Sequence, residues 1–136
     1  MRSVAVLLLA LVSGCGPDER AEKDKVQSSV ERIRAMPSSA SVDQKKEAEA
    51  LLALEIESPR ARRARDACGT AYKTKGDYGI LVDEMTGRVE ALQTSAPDED
   101  EKKALAAKME TVDELLKQLE VQLPECTGAM SDLVGH

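Results

Sequence analysis

Residues 98–126, DEDEKKALAAKMETVDELLKQLEVQLPEC, decide the fold of this chain. Four acidic residues open the stretch, where carboxylates stabilise the positive end of a helix dipole. Apolar residues then recur at spacings of 4, 3, 4, 3 and 4, the seven-residue repeat of a helix with one apolar seam. The seam residues are Leu105, Met109, Val112, Leu116, Leu119 and Leu123. The pattern predicts a helix from about 98 to 123, ended by Pro124, with a short, loosely held tail over 127–136.

Two further helical segments are predicted upstream of this one. Apolar residues at positions 26, 30, 33 and 36 indicate a helix over about 20–36, which Pro37 ends. A longer helical run, from about 42 to 95, begins with the capping-box pattern of Ser41 and Gln44. Within this run, Ser58-Pro59 indicates either a fresh helix start or a kink, and its glycines allow a local break near 76–79.

The composition supports an all-α fold with a thin core. Among 136 residues there are two tyrosines and neither phenylalanine nor tryptophan. Strong helix formers dominate, and a core of Leu, Val, Ile, Met and Ala suits closely facing helices better than a sandwich or barrel. We therefore predict an antiparallel three-helix bundle built around a long helical hairpin, with coiled-coil-like packing.

Two cysteines are placed symmetrically about the predicted turn. Cys68 lies 29 residues before Pro97 and Cys126 lies 29 residues after it. In a hairpin that turns at Pro97, equal path lengths bring both side chains to the same level, within the roughly 7 Å between Cα atoms that a disulfide allows. We predict a Cys68–Cys126 disulfide, with two free buried thiols as the alternative.

The first fifteen residues, MRSVAVLLLALVSGC, have the organisation of an export signal. Arg2 precedes nine apolar residues, which at about 1.5 Å each cover only about half of a hydrocarbon layer of about 30 Å. The end of the stretch, Val12-Ser13-Gly14-Cys15, resembles the lipobox of bacterial lipoproteins. The resemblance implies cleavage before Cys15, diacylglycerol on its thiol, and a further acyl chain such as palmitate on its amino group. An ordinary secretory signal that contains a cysteine is the alternative.

The resemblance also implies a domain organisation and a location. Residues 1–14 would be the removed signal peptide, 15–25 a lipidated tether, 26–126 the helical domain and 127–136 a flexible tail. Gly16 follows the cysteine where inner-membrane lipoproteins of the enteric type carry aspartate, so the periplasmic face of the outer membrane is the expected location. The mature chain has 18 basic and 25 acidic residues, a net charge of −7, which disfavours binding to nucleic acid.

The remaining candidate chemistry is sparse. The single histidine, His136, stands at the end of the sequence, and no phosphate-binding or dinucleotide motif is present. Asp98 to Glu101 lack the ligand spacing of a calcium loop and read as helix N-terminal charge. Four arginines at 60, 62, 63 and 65 spread over two helix faces near Glu55, Glu57 and Asp66. They predict a solvated, ion-paired helix, with contact to lipid headgroups or an acidic partner as the alternative.

These features predict a non-enzymatic envelope lipoprotein, with no catalytic residues, metal or cofactor. Its lipid anchor would hold it at a membrane, and its helix faces would bind another protein or a second copy of itself. A structural spacer or wall-associated lipoprotein is the alternative. The small wall lipoproteins of the murein type carry a terminal lysine for attachment, whereas this sequence ends in Gly135-His136.

Overall fold

A computed structural model describes residues 18–135, which are all-α and contain no strand. The helices are α1 (Glu19–Ala35), α2 (Ser41–Leu52), α3 (Pro59–Ala91) and α4 (Glu99–Val134). None of the helices within residues 18–135 has the length and apolar character needed to cross a membrane. The cleaved signal peptide and the lipidated Cys15, which the sequence predicts, lie outside the described residues.

The predicted middle run is two helices, so four helices replace the expected three. The chain leaves α2 after Leu52 and re-enters a helix at Pro59, with Ser58 as the N-cap residue in an extended conformation. Proline fits the first helical position because its missing N–H has no helical partner there. Of the two interpretations of Ser58-Pro59, the fresh helix start is correct. The predicted capping box is not formed, since α2 has no side-chain cap at its N-terminus.

The long helices α3 and α4 form an antiparallel hairpin joined by residues 92–98. Cys68 and Cys126 are disulfide-bonded with their Cα atoms 4.5 Å apart. Nearer the turn, Arg88 pairs with Glu101 at 2.6 Å. Helix α3 runs without a break from Pro59 to Ala91, so the possible interruption near 76–79 does not occur. The equal path lengths on either side of Pro97 therefore predicted the pairing correctly.

The predicted end of the last helix at Pro124 is wrong. Helix α4 continues through this proline to Val134, and the expected loose tail is helical over residues 127–134. Pro124 lies on the exposed side of the helix, where water can hydrogen-bond the carbonyl that loses its N–H partner. Because α4 continues past Pro124, its last two turns are buried. Their apolar side chains join the core: Ala129, Met130 and Leu133.

Helices α1 and α2 pack on only one end of the hairpin. We call this end the base; it comprises residues 18–79 and 121–135. One core cluster lies there, drawn from all four helices and led by Val26, Val30, Ile33, Leu51, Cys68 and Cys126. Beyond the base, the hairpin continues over residues 80–120 with no other helix of the described part of the chain packed on it, and we call this part the distal hairpin.

Glycines allow α2 to approach α3 closely. A Cβ atom built on Gly76 would lie 2.6 Å from the Cβ and 2.9 Å from the Cα of Lys45, closer than any real contact. A Cβ atom on Gly69 would lie 2.5 Å from the side chain of Leu52. The glycines that looked like weak points of α3 are therefore packing positions. Gly87, in the distal hairpin, has no such neighbour within 4 Å.

We expect Gly76→Ala to lower the free energy of unfolding by about 1–3 kcal/mol, because the new methyl group meets backbone that must move. Gly87→Ala is the matched control, since it removes a glycine from the same helix in open space. It should raise the stability by up to about 1 kcal/mol. Urea unfolding of both variants measures the difference, and equal shifts in one direction would contradict the close approach of α2.

A buried carboxylate joins α1 to the start of α3. Glu22 is 8% exposed, and its two oxygens accept hydrogen bonds from the backbone N–H groups of Glu57 and Ser58, both at 2.8 Å. The Ser58 hydroxyl donates a further bond at 2.5 Å. The Ser58 hydroxyl and these two N–H groups lower the pKa of Glu22 below its ordinary value of 4.5. The contact ties the first turn of α1 to the entry of α3.

We expect Glu22→Gln to destabilise the protein at neutral pH and to flatten its response to acid. Because the folded state lowers the pKa, the stabilisation is fully present above the unfolded value and is lost as the pH falls through the folded value. The wild-type urea midpoint should therefore fall more steeply below pH 4.5 than that of the variant. Glu31→Gln, an exposed change on the same helix, is the control. Parallel pH curves for wild type and Glu22→Gln would refute this role.

Candidate interaction surface

Three of the four clustered arginines form ion pairs or hydrogen bonds within the base. Arg63 pairs with Asp132 at 2.6 Å, and Arg65 pairs with Asp66 at 2.8 Å. Arg62 donates to the carbonyl oxygen of Glu57 at 2.7 Å, and Arg65 to that of Leu54 at 2.8 Å. The predicted ion-paired helix is correct in kind, although Asp132 replaces Glu55 and Glu57 as a partner. These side chains fasten the loop between α2 and α3 and the end of α4.

The acidic residues at the start of α4 act as the sequence predicts. Asp98 is the N-cap residue and accepts a hydrogen bond from the Glu101 N–H at 2.8 Å. Three more carboxylates occupy the first turn. Within residues 18–135, no group of three or more His, Cys, Asp or Glu side chains is arranged to hold a metal ion. His136 lies outside the described residues.

Two open clefts, of about 680 and 700 Å³, lie in the base. The first runs between α3 and α4 beside Arg63 and Gln122, and the second lies where α1 and α3 begin, beside Arg60 and Leu133. The charged side chains that line the clefts include some that form ion pairs between helices, such as Arg63 with Asp132. Neither cleft brings together a nucleophile with a base or an oriented pair of carboxylates.

The clearest surface feature lies along α4. Positions 109, 116, 123 and 130 are seven residues apart and therefore lie on one side of the helix. Met130, in the base, is 7% exposed, and Leu123 is partly buried. Leu116 is 40% exposed and Met109, in the distal hairpin, is 59% exposed. One apolar stripe is thus core at one end and open surface at the other.

A parallel change occurs along α3. Positions 61, 68, 75, 82 and 89 share one side of this helix, again seven residues apart, and Lys75 is the one charged member. Ala61 and Cys68 are 1% and 0% exposed, because they lie in the core of the base. Val82 is half-buried, and Val89 near the turn is 54% exposed. The side that is covered at the base is uncovered in the distal hairpin.

We infer that both stripes lie on the same side of the hairpin, because in the base both contribute to the single core that contains α1, and α1 contacts both arms. We call their uncovered continuation the open face; it consists of Val82 and Val89 of α3 with Met109 and Leu116 of α4. The predicted seam of α4 is therefore buried against other helices only in part. Isolated apolar side chains on a surface are ordinary, whereas a large contiguous apolar patch indicates a binding surface.

The open face has an acidic rim on both sides. On α3, Asp83 and Glu90 each follow a valine of the face, and on α4, Asp113 and Glu120 each come four residues after a member of the face. All four are exposed, and none takes part in an ion pair within residues 18–135. The distal hairpin holds 11 acidic and 5 basic residues, a net charge of −6. The whole sequence also has a net charge of −6, so the residues outside 80–120 have a net charge of zero.

Sequence reasoning predicted binding through helix faces, but it did not identify which part of the heptad seam is uncovered. Two sequence signals could have located it. The first helical segment, about 17 residues, is half the length of either arm of the hairpin and cannot cover it. The excess acid also falls entirely within residues 80–120. No family model, curated protein or solved structure matches this chain.

Proposed function

We propose that this protein is a non-enzymatic, lipid-anchored envelope protein that binds another protein through the open face of its distal hairpin. The observation that carries the proposal is the uncovered apolar stripe, which runs from the core into solvent at Met109 and Leu116. When a partner covers water-exposed apolar surface, the free energy of the complex falls, and this favours binding. In this proposal the base packs as a coiled-coil-like bundle, to which α1, α2 and both arms of the hairpin contribute core side chains.

The lipid anchor in this proposal is Cys15, three residues before the N-cap residue of α1, Asp18. The start of α1 lies beside the start of α3, through Glu22 and Ser58, and beside the end of α4, through Lys23 and Val134. The base is therefore the end nearest the membrane. At about 1.5 Å per residue, the helices of 33 and 36 residues carry the turn about 50 Å away from it.

This length also favours the second candidate, a structural spacer or wall-associated lipoprotein. A rigid hairpin of about 50 Å, tethered at one end, would hold its tip at a set distance from the membrane. A spacer does not need an apolar strip along its distal half, since exposed apolar surface is a liability unless it is covered. Protein binding is thus the better supported of the two.

Chemical crosslinking of membranes from the native host, followed by recovery of the full chain, separates the two candidates. Protein binding predicts one crosslinked partner in stoichiometric amount. A wall-associated spacer predicts recovery with peptidoglycan and with no protein partner. Metabolic labelling with a fatty-acid analogue in the same cells tests the anchor, and an unlabelled protein in the soluble fraction would contradict it.

A further inference from the structure

We propose that the occupant of the open face is a basic amphipathic helix of a different protein, an inference that rests on the proposed function. The face has the shape of a site for a helix. In the base, α1 contacts both arms of the hairpin, and its last turn reaches Tyr72, whose hydroxyl accepts a bond from Arg34 at 2.8 Å. Beyond that level the same side continues to Val89, and no helix of the described residues, 18–135, lies over it.

The length of the face sets the length of the occupant. Between positions 75 and 91, α3 rises about 25 Å, which corresponds to about four to five turns of a helix. An amphipathic helix in line with α1 would place its apolar stripe between Val89 and Met109, as α1 places Val26 and Val30 in the core below. The partner helix would thus extend the packing of the base to the tip of the hairpin.

The charge of the rim selects the partner. Asp83 and Glu90 flank one side of the strip, and Asp113 and Glu120 flank the other. These carboxylates would lie beside the polar edges of a docked helix, where lysine and arginine side chains can reach them. Arg88 and Lys108 do not neutralise the rim, because they pair across the hairpin with Glu101 and Glu84. Charge complementarity of this kind raises association rates and suppresses wrong partners.

The same charge disfavours a second copy of this chain as the occupant. Two distal hairpins, each of net charge −6, would bring eight rim carboxylates together if their open faces met. Like charges at close range disfavour such a pairing. A partner with a basic helix is therefore the better match to the surface.

The test is site-specific photo-crosslinking of the full chain in its native host. A photo-reactive amino acid is placed at Val89 or Met109, on the open face, or at Val42 or Val121, which are 66% and 60% exposed elsewhere. We expect several-fold more crosslinked partner from the open face than from either control position. The crosslinked partner segment, identified by mass spectrometry, should be an amphipathic helix with net positive charge. Asp113→Asn combined with Glu120→Gln should reduce the yield at Met109 several-fold without changing the helical content.

The outcomes separate this inference from the proposed function. Crosslinks from the open face to a second copy, or to an uncharged or acidic segment, overturn the basic helix and leave protein binding intact. Crosslinks to protein only at Val42 or Val121 contradict the proposed function as well, because they place the interface outside the open face. Absence of protein crosslinks at all four positions contradicts the proposed function itself. An unchanged yield at Met109 after the two rim substitutions overturns the role of charge.

Discussion

Replacing Cys68 and Cys126 together by alanine should lower the free energy of unfolding by about 4 kcal/mol, the value expected for a loop of this length. The bond closes 58 residues of sequence and joins α3 to α4 where both sulfur atoms are buried, at 0% and 1% residue exposure. The loss is large relative to the roughly 5–15 kcal/mol that stabilise ordinary domains. The loss should be a large share of the stability of this protein, since its core contains no phenylalanine or tryptophan.

Urea unfolding at equilibrium measures this loss. The matched control is the wild-type protein under reducing conditions, which should lose a comparable amount, whereas a reductant should not change the stability of the alanine variant. A loss below about 1 kcal/mol would mean that helix packing alone positions the hairpin.

Replacing Cys15 by alanine is expected to abolish membrane anchoring. The proposed anchor is lipid on this residue, and no helix within residues 18–135 can span a membrane in its place. Several acyl chains bind a bilayer stably, while the acidic mature chain offers no strong attraction to anionic lipid. The variant should lose its fatty-acid label and leave the membrane fraction, where the wild-type protein is expected.

Ser13→Ala is the matched control for this change, because alanine is also small and the lipobox tolerates small residues before its cysteine. This variant should keep both the label and the membrane association. Retention of the Cys15→Ala protein in the membrane fraction, after washing with high salt, would show that something other than lipid holds it there.

Helical periodicity predicted the presence of the helices and part of their packing. The stripe at 26, 30 and 33 is buried in the core, and the equal spacing of two cysteines about Pro97 located the disulfide. Such features depend on local spacing and on the path length of the chain, which can be counted in a sequence. The same reasoning left Ser58-Pro59 open, because a proline can begin a helix or kink one.

The failures depend on tertiary context. Pro124 does not end α4, because its exposed side tolerates a missing hydrogen bond while Met130 and Leu133 gain burial against α1. Gly76 is a packing position for α2, which the sequence of α3 alone does not reveal. The open face was missed for a related reason: Met109 and Met130 occupy equivalent positions in the repeat, and only the extent of α1 distinguishes them.

Methionine oxidation by hydrogen peroxide, compared between the purified full chain and native membranes, tests most directly whether the open face is where a partner binds. Met109 and Met130 are natural probes, at 59% and 7% exposure on one side of α4, and oxidation follows exposure. In the purified chain, Met109 should oxidise several-fold faster than Met130. In native membranes the rate at Met109 should fall to nearly that of Met130, because a bound helix covers it. Oxidation of Met109 that is equally fast in both preparations would contradict a binding role for the open face.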